Sequence, residues 1–120
     1  MTTARVLCLD DDLTIARMIG DVVEFCGLVP VVEQDSIEAT STHLRDSAVR
    51  AVLVDYMMPR LDGITVLLMW QESRPDVRRV LITAAPQETE VREALRSGVA
   101  QMVISKPPSI ADIKMALAWL

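Results

Sequence analysis

The chain has 120 residues, enough for one hydrophobic core and too few for two. With 51% apolar and 24% charged residues it has the composition of a folded globular protein, not of a disordered one. A net charge of −5 with no basic stripe argues against direct nucleic-acid binding, and the longest apolar run, Ile64–Trp70, is far short of the about 20 residues that span a bilayer.

The start, Met1-Thr2-Thr3-Ala4-Arg5, lacks the shape of a signal peptide and leads straight into a strand pattern, so a cytoplasmic location is expected. The first predicted strand is Val6–Leu9, followed by Asp10-Asp11-Asp12. A helix pattern from Leu13 to Cys26 puts Ile15, Ile19, Val22, Val23 and Cys26 on one face, with Gly27 as its stop. Cys8 and Cys26 have no Cys or His at metal spacing and read as core-filling residues. After strand Val29–Val32 come Glu33 and Gln34, then a helix capped by Ser36 and reaching about Asp46, with Ile37, Thr40 and Leu44 inward and His43 on the surface.

The third strand, Ala51–Val54, ends in Asp55. Asp62-Gly63 opens a helix with Ile64, Leu67 and Leu68 inward that ends before Pro75. Strand Val80–Thr83 precedes a short helix, about Thr89–Ser97, with Val91, Ala94 and Leu95 inward and Gly98 as its stop. Strand Met102–Ser105 ends at Lys106, and Ser109 caps a last helix bearing Ile110, Ile113, Leu117 and Leu120 on one face. Val66, Met69 and Trp70 on the third helix, and Met115 and Trp119 on the fifth, fall off the inward faces and mark either a partner surface or partial burial.

Strict alternation of short apolar strands and amphipathic helices predicts one α/β domain over residues 1–120, a doubly wound five-stranded parallel sheet with five helices. In such sheets the working site lies at the carboxyl ends of the strands. There the chain places Asp10 and Asp11, Asp55, Thr83 and Lys106. Carboxylates this close repel one another unless a cation screens them, and Mg²⁺ prefers a few carboxylates plus waters and phosphate oxygens. A hydroxyl and an ammonium opposite the cation suit the remaining oxygens of a phosphoryl group. Lys106 is one of only two lysines against ten arginines.

Four segments together resemble the response-regulator receiver domains of two-component signalling: Val6-Leu7-Cys8-Leu9-Asp10-Asp11, Val54-Asp55-Tyr56-Met57-Met58-Pro59-Arg60-Leu61-Asp62-Gly63, Thr83-Ala84 and Lys106-Pro107. The resemblance implies a flavodoxin-like, CheY-like topology. It implies that Asp55 is the phosphoacceptor, that Asp10, Asp11, Asp55 and the Met57 backbone carbonyl bind Mg²⁺ (or Mn²⁺), and that Thr83, Lys106 and the Ala84 backbone N–H contact phosphate. The implied partners are a histidine kinase or histidine phosphotransfer protein, in a phosphorelay. A homodimer or output partner would use the surface of the fourth helix, fifth strand and fifth helix. The domain would catalyse only its own phosphorylation and dephosphorylation.

The chain departs from that family in three places. Val103 stands where many receivers carry an aromatic switch. Gly98 lies eight residues before Lys106 where seven is commoner, which implies an altered turn or a helix register shifted by one. Met57 and Ala85, at positions that tune phosphate lifetime, have no group to orient water, which implies a long-lived adduct. Pro107 matches a family cis peptide. Two other readings stay open. One is a receiver that only binds, independently of phosphate. The other is a haloacid-dehalogenase-type phosphatase with Asp10 as nucleophile in Asp10-Asp11-Asp12-Leu13-Thr14, although this leaves Asp55 without a role. Asp12 and Asp62 read simply as helix caps.

Overall fold

The computed structural model describes residues 3–118 and residue 120. Strands and helices alternate throughout: β1 Arg5–Leu9, α1 Leu13–Phe25, β2 Val29–Glu33, α2 Ser36–His43, β3 Val49–Asp55, α3 Gly63–Ser73, β4 Arg78–Thr83, α4 Thr89–Arg96, β5 Met102–Ser105 and α5 Ile110–Leu117. All pairings are parallel, in the order β2-β1-β3-β4-β5. Each strand is short and apolar because both of its faces are covered, and successive side chains feed opposite layers. Leu7, Leu9, Val52, Val54 and Leu81 enter the layer that includes α2, α3 and α4. Val6, Cys8, Ala51, Leu53, Val80 and Ile82 enter the layer closed by α1 and α5.

The helix boundaries follow local chemistry. Asp12, Asp35, Asp62 and Ser109 each cap a helix by accepting a backbone N–H, from Thr14, Ile37 and Glu38, Thr65, and Asp112 in turn. Gly27 and Gly98 follow α1 and α4 at φ +82° and +81°, a conformation that favours glycine. The spacing difference at Gly98 therefore falls in the turn to β5 and not within α4.

Several sequence expectations are corrected. Asp35, not Ser36, caps α2, which ends at His43 rather than near Asp46, and Ile37 is exposed. His43 is buried, with Nε2 2.6 Å from Glu33 Oε2, because α2 lies over the edge strand that carries Glu33. On α3 the buried stripe is Gly63, Val66, Leu67 and Trp70, so Val66 and Trp70 are core residues, while Leu68 is exposed and Ile64 half-buried. The rotation has a cause: Gly63 sits so close to β3 that a Cβ there would be 2.4 Å from the Asp55 carbonyl oxygen. A residue without a side chain carries no hydrophobic signal, yet this one sets the phase of the helix.

Cys26 is exposed at the end of α1. Cys8 is a core residue whose thiol burial pushes up to about 12. Leu95, Ile110 and Leu120 are exposed rather than inward, and Met69 and Met115, off the inward faces, are exposed rather than partly buried. Trp119 lies outside the described residues.

One long-range feature had no sequence signal. Arg79, on β4, is buried without a carboxylate close enough for an ion pair among the described residues. Its guanidinium donates to the carbonyls of Pro75, Val77, Gly98 and Val99 at 2.9–3.1 Å. The five donors of arginine suit such a role, and it fastens the α4–β5 turn to the start of β4. Among the described residues, no helix is long and apolar enough to cross a membrane.

Candidate functional site

The carboxyl ends of β1, β3, β4 and β5 bring together the side chains expected there. Asp10, just past β1, is fully buried; its Oδ1 accepts the Asp12 N–H at 2.8 Å. Asp55, the last residue of β3, is 3% exposed. The residue after it is pinned twice, since the Tyr56 N–H donates to the Ile82 carbonyl and the Gly63 N–H to the Tyr56 carbonyl. Asp11 stands beside them, exposed, and one carboxylate oxygen from each of the three aspartates lies within 4.8 Å of the others.

Lys106 projects from the end of β5, its backbone N–H held by the Thr83 carbonyl at 2.9 Å. Its Nζ is 2.9 Å from Asp55 Oδ1 and 3.2 Å from Asp10 Oδ2. Apart from that ammonium, the buried Asp10 Oδ2 has no hydrogen-bond partner among the described residues. The Lys106–Pro107 peptide is cis, as the family pattern implied. Thr83 is buried at the end of β4, and its Oγ1 accepts the Ala85 N–H at 3.0 Å. Ala84, between them, is exposed, as is Met57 just past Asp55.

The electrostatics follow from burying like charges together. Desolvation pushes the Asp55 carboxyl up to about 6; Lys106 opposes this and Asp10 adds to it. Asp10 is raised too, by burial first, against the Asp12 N–H and Lys106. Burial draws the Lys106 ammonium down, but its bond to Asp55 and the charges of both aspartates outweigh this, leaving it raised. Three carboxylates against one ammonium leave net negative charge in a largely buried pocket.

That donor set tests well against a hard divalent cation. Mg²⁺ takes oxygen ligands, and the carboxylates of Asp10, Asp11 and Asp55 would supply them. Every site residue expected from sequence is thus found at one end of the sheet. Two participants in its surroundings were not singled out. Tyr56 is half-buried beside Asp55, its phenol pushed up by burial and by Asp62, Glu90 and Glu88. Ser36, read only as a cap, instead bonds to the loop that follows Asp55. Val103 is half-buried against the α3–α4 core layer, and its aliphatic side chain offers no ring to turn at that position.

A family model described as the response regulator receiver domain matches residues 6–118. Among characterised proteins, response regulator MprA of Mycobacterium sp. (strain KMS) is 28% identical over 109 residues, covering 91% of this chain and 46% of its own. MprA of Mycobacterium leprae (strain TN) is 28% identical over the same length, with 47% of its own chain covered. The chain thus spans about half the length of the curated relatives it matches. A response regulator receiver domain protein (CheY-like) from Methanospirillum hungatei JF-1 superposes with a TM-score of 0.87 at 20% identity, covering 98% of this chain and 92% of that one. The receiver domain of Francisella response regulator 1452 does so with a TM-score of 0.81 at 25% identity, covering 98% of each. Strand order, a family match over nearly the whole chain and these superpositions agree: the chain belongs to the response regulator receiver domain family, the signalling module of two-component systems, and has its flavodoxin-like fold.

Proposed function

We propose that this domain accepts a phosphoryl group on Asp55 in a Mg²⁺-dependent reaction and signals through the change in shape that follows. The observation that carries this reading is the cluster of buried Asp10 and Asp55 with exposed Asp11, Lys106 Nζ bridging the two buried carboxylates. Asp55 Oδ attacks the phosphorus of a phosphohistidine or small acyl phosphate; the new O–P bond replaces the bond to the donor, which leaves with its electron pair. Asp10, Asp11 and Asp55 would hold a Mg²⁺, which when bound would neutralise charge on the carboxylates and the phosphoryl oxygens. Lys106, held by both aspartates, is placed to move onto a phosphoryl oxygen, with the Thr83 hydroxyl and the Ala84 N–H taking others. The Met57 carbonyl would be a further ligand to that cation.

The donor would be a cytoplasmic histidine kinase or histidine phosphotransfer protein. Since Val103 removes the aromatic switch, output would rest on movement of Thr83 and of the α4–β5–α5 surface. Met57 and Ala85 offer no carboxylate or amide to orient water, which favours a slowly hydrolysed adduct. Residues 1–120 would act as one domain.

Intact-mass analysis after incubation with acetyl phosphate tests the reading. A single phosphoryl adduct, dependent on Mg²⁺ and absent from Asp55→Asn, is expected. An adduct that survives in Asp55→Asn but is lost in Asp10→Asn would replace this reading with the phosphatase chemistry. No adduct from acetyl phosphate or from any phosphohistidine donor would leave a receiver that only binds.

A further inference from the structure

We propose that Ser36 is a positioning residue for the metal site, holding the loop that carries the Met57 carbonyl. This rests on the reading of the site given above. Ser36 is the first residue of α2 and only 2% exposed. Its hydroxyl is not needed by its own helix, because Asp35 already accepts the N–H groups of Ile37 and Glu38 at 2.9 Å each. The hydroxyl instead leaves the helix: Oγ donates to the Pro59 carbonyl at 3.2 Å and accepts the Leu61 N–H at 3.1 Å. One buried side chain thus holds the crown of the β3–α3 turn on both sides of Arg60, where the Leu61 N–H also bonds the Pro59 carbonyl at 3.0 Å.

The geometry of that turn explains why a grip matters. Its base is closed by the Gly63 N–H to Tyr56 carbonyl bond at 2.8 Å. Its crown contains Arg60 at φ +76°, a left-handed conformation that disfavours residues other than glycine. Such a residue persists only where its surroundings hold it. The exposed ion pair from Arg60 Nη1 to Asp35 Oδ2, at 2.8 Å, adds a second tie to the same helix end, but a weak one. Met57 lies between the closed base and the held crown. Releasing the crown frees its carbonyl while leaving Asp55, which is anchored through β3, in place. Ser36 therefore acts on cation affinity and not on the chemistry at Asp55.

The test is calorimetric titration of Mg²⁺ into the unphosphorylated protein, together with the Mg²⁺ dependence of phosphorylation by acetyl phosphate. Ser36→Ala is expected to raise the Mg²⁺ Kd, and the half-saturating Mg²⁺ concentration, about tenfold, with the rate at saturating Mg²⁺ within about twofold of wild type. Thr40→Val is the structural control. It removes a buried hydrogen bond in the same helix, Thr40 Oγ1 to the Ser36 carbonyl at 2.8 Å, without touching the loop. It is expected to leave the Mg²⁺ Kd unchanged. In the metal-free protein, Ser36→Ala but not Thr40→Val should speed amide exchange at Leu61. An unchanged Kd in Ser36→Ala, or an equal rise in both variants, overturns the role of Ser36. Failure of the wild type to bind Mg²⁺ at all overturns the reading of the site, and this proposal with it.

Discussion

Asp55 is held in a state that disfavours its own charge, and this has a measurable consequence before any phosphate arrives. Its carboxyl, ordinarily near 3.8, is pushed up to about 6 by burial beside Asp10. The folded state therefore holds the proton more tightly than the unfolded chain. Between those two values stability falls as pH rises, and above pH about 6 the full penalty is present. Asp55→Asn removes the penalty. The metal-free variant should unfold at a higher temperature than wild type at neutral pH, by on the order of 1–2 kcal/mol, with the gap closing toward pH about 4. Thermal melts in chelator across that range check it; a gap that grows with acid would show that the Lys106 ion pairs outweigh desolvation. Saturating Mg²⁺ should narrow the gap at neutral pH, because the cation compensates the same charge.

The elements place these residues through a few close approaches, and the closest is that of α3 to β3 at Gly63. A methyl group there would meet the Asp55 carbonyl oxygen at 2.4 Å and Leu81 Cδ1 at 2.8 Å. Backbone cannot yield as a flexible side chain can, so Gly63→Ala should cost about 2–3 kcal/mol in urea denaturation and also slow phosphorylation by displacing Asp55. A variant as stable as wild type would mean that α3 can slide on the sheet. This contact also marks the limit of what sequence shows. Strand ends carrying Asp10, Asp55, Thr83 and Lys106 were legible because buried parallel strands are short apolar runs with abrupt polar ends. Helix faces were less so. The phase of α3 depends on a glycine with no hydropathy signal. The edge position of α2 turns His43 and Ser36 inward through partners, Glu33 and the Pro59–Leu61 turn, that only the fold brings near.

At the scale of the whole molecule, the Arg79 side chain ties the start of β4 to the α4–β5 turn, and no local pattern announces it. Replacing it with methionine would preserve much of the packing but strand the carbonyls of Pro75, Val77, Gly98 and Val99. Arg79→Met should cost about 3 kcal/mol in equilibrium urea denaturation; a loss below about 1 kcal/mol would mean that water replaces the guanidinium freely.

Helix α4 is held very differently at its two ends. Its C-terminal end is fastened where Ala100 N–H bonds the Ala94 carbonyl and Arg79 grips Gly98 and Val99. Its N-terminal end, next to Thr83, begins at Glu88 with no side-chain cap, and only Val91 and Ala94 are buried along its length. A rod fixed at one end has one easy motion, rotation about that end. For eight residues, about 12 Å, a swing of about 10° carries the free tip about 2 Å while the fastened end barely moves. The helix is a lever with its fulcrum at Arg79, and its free tip follows the loop that leaves Thr83.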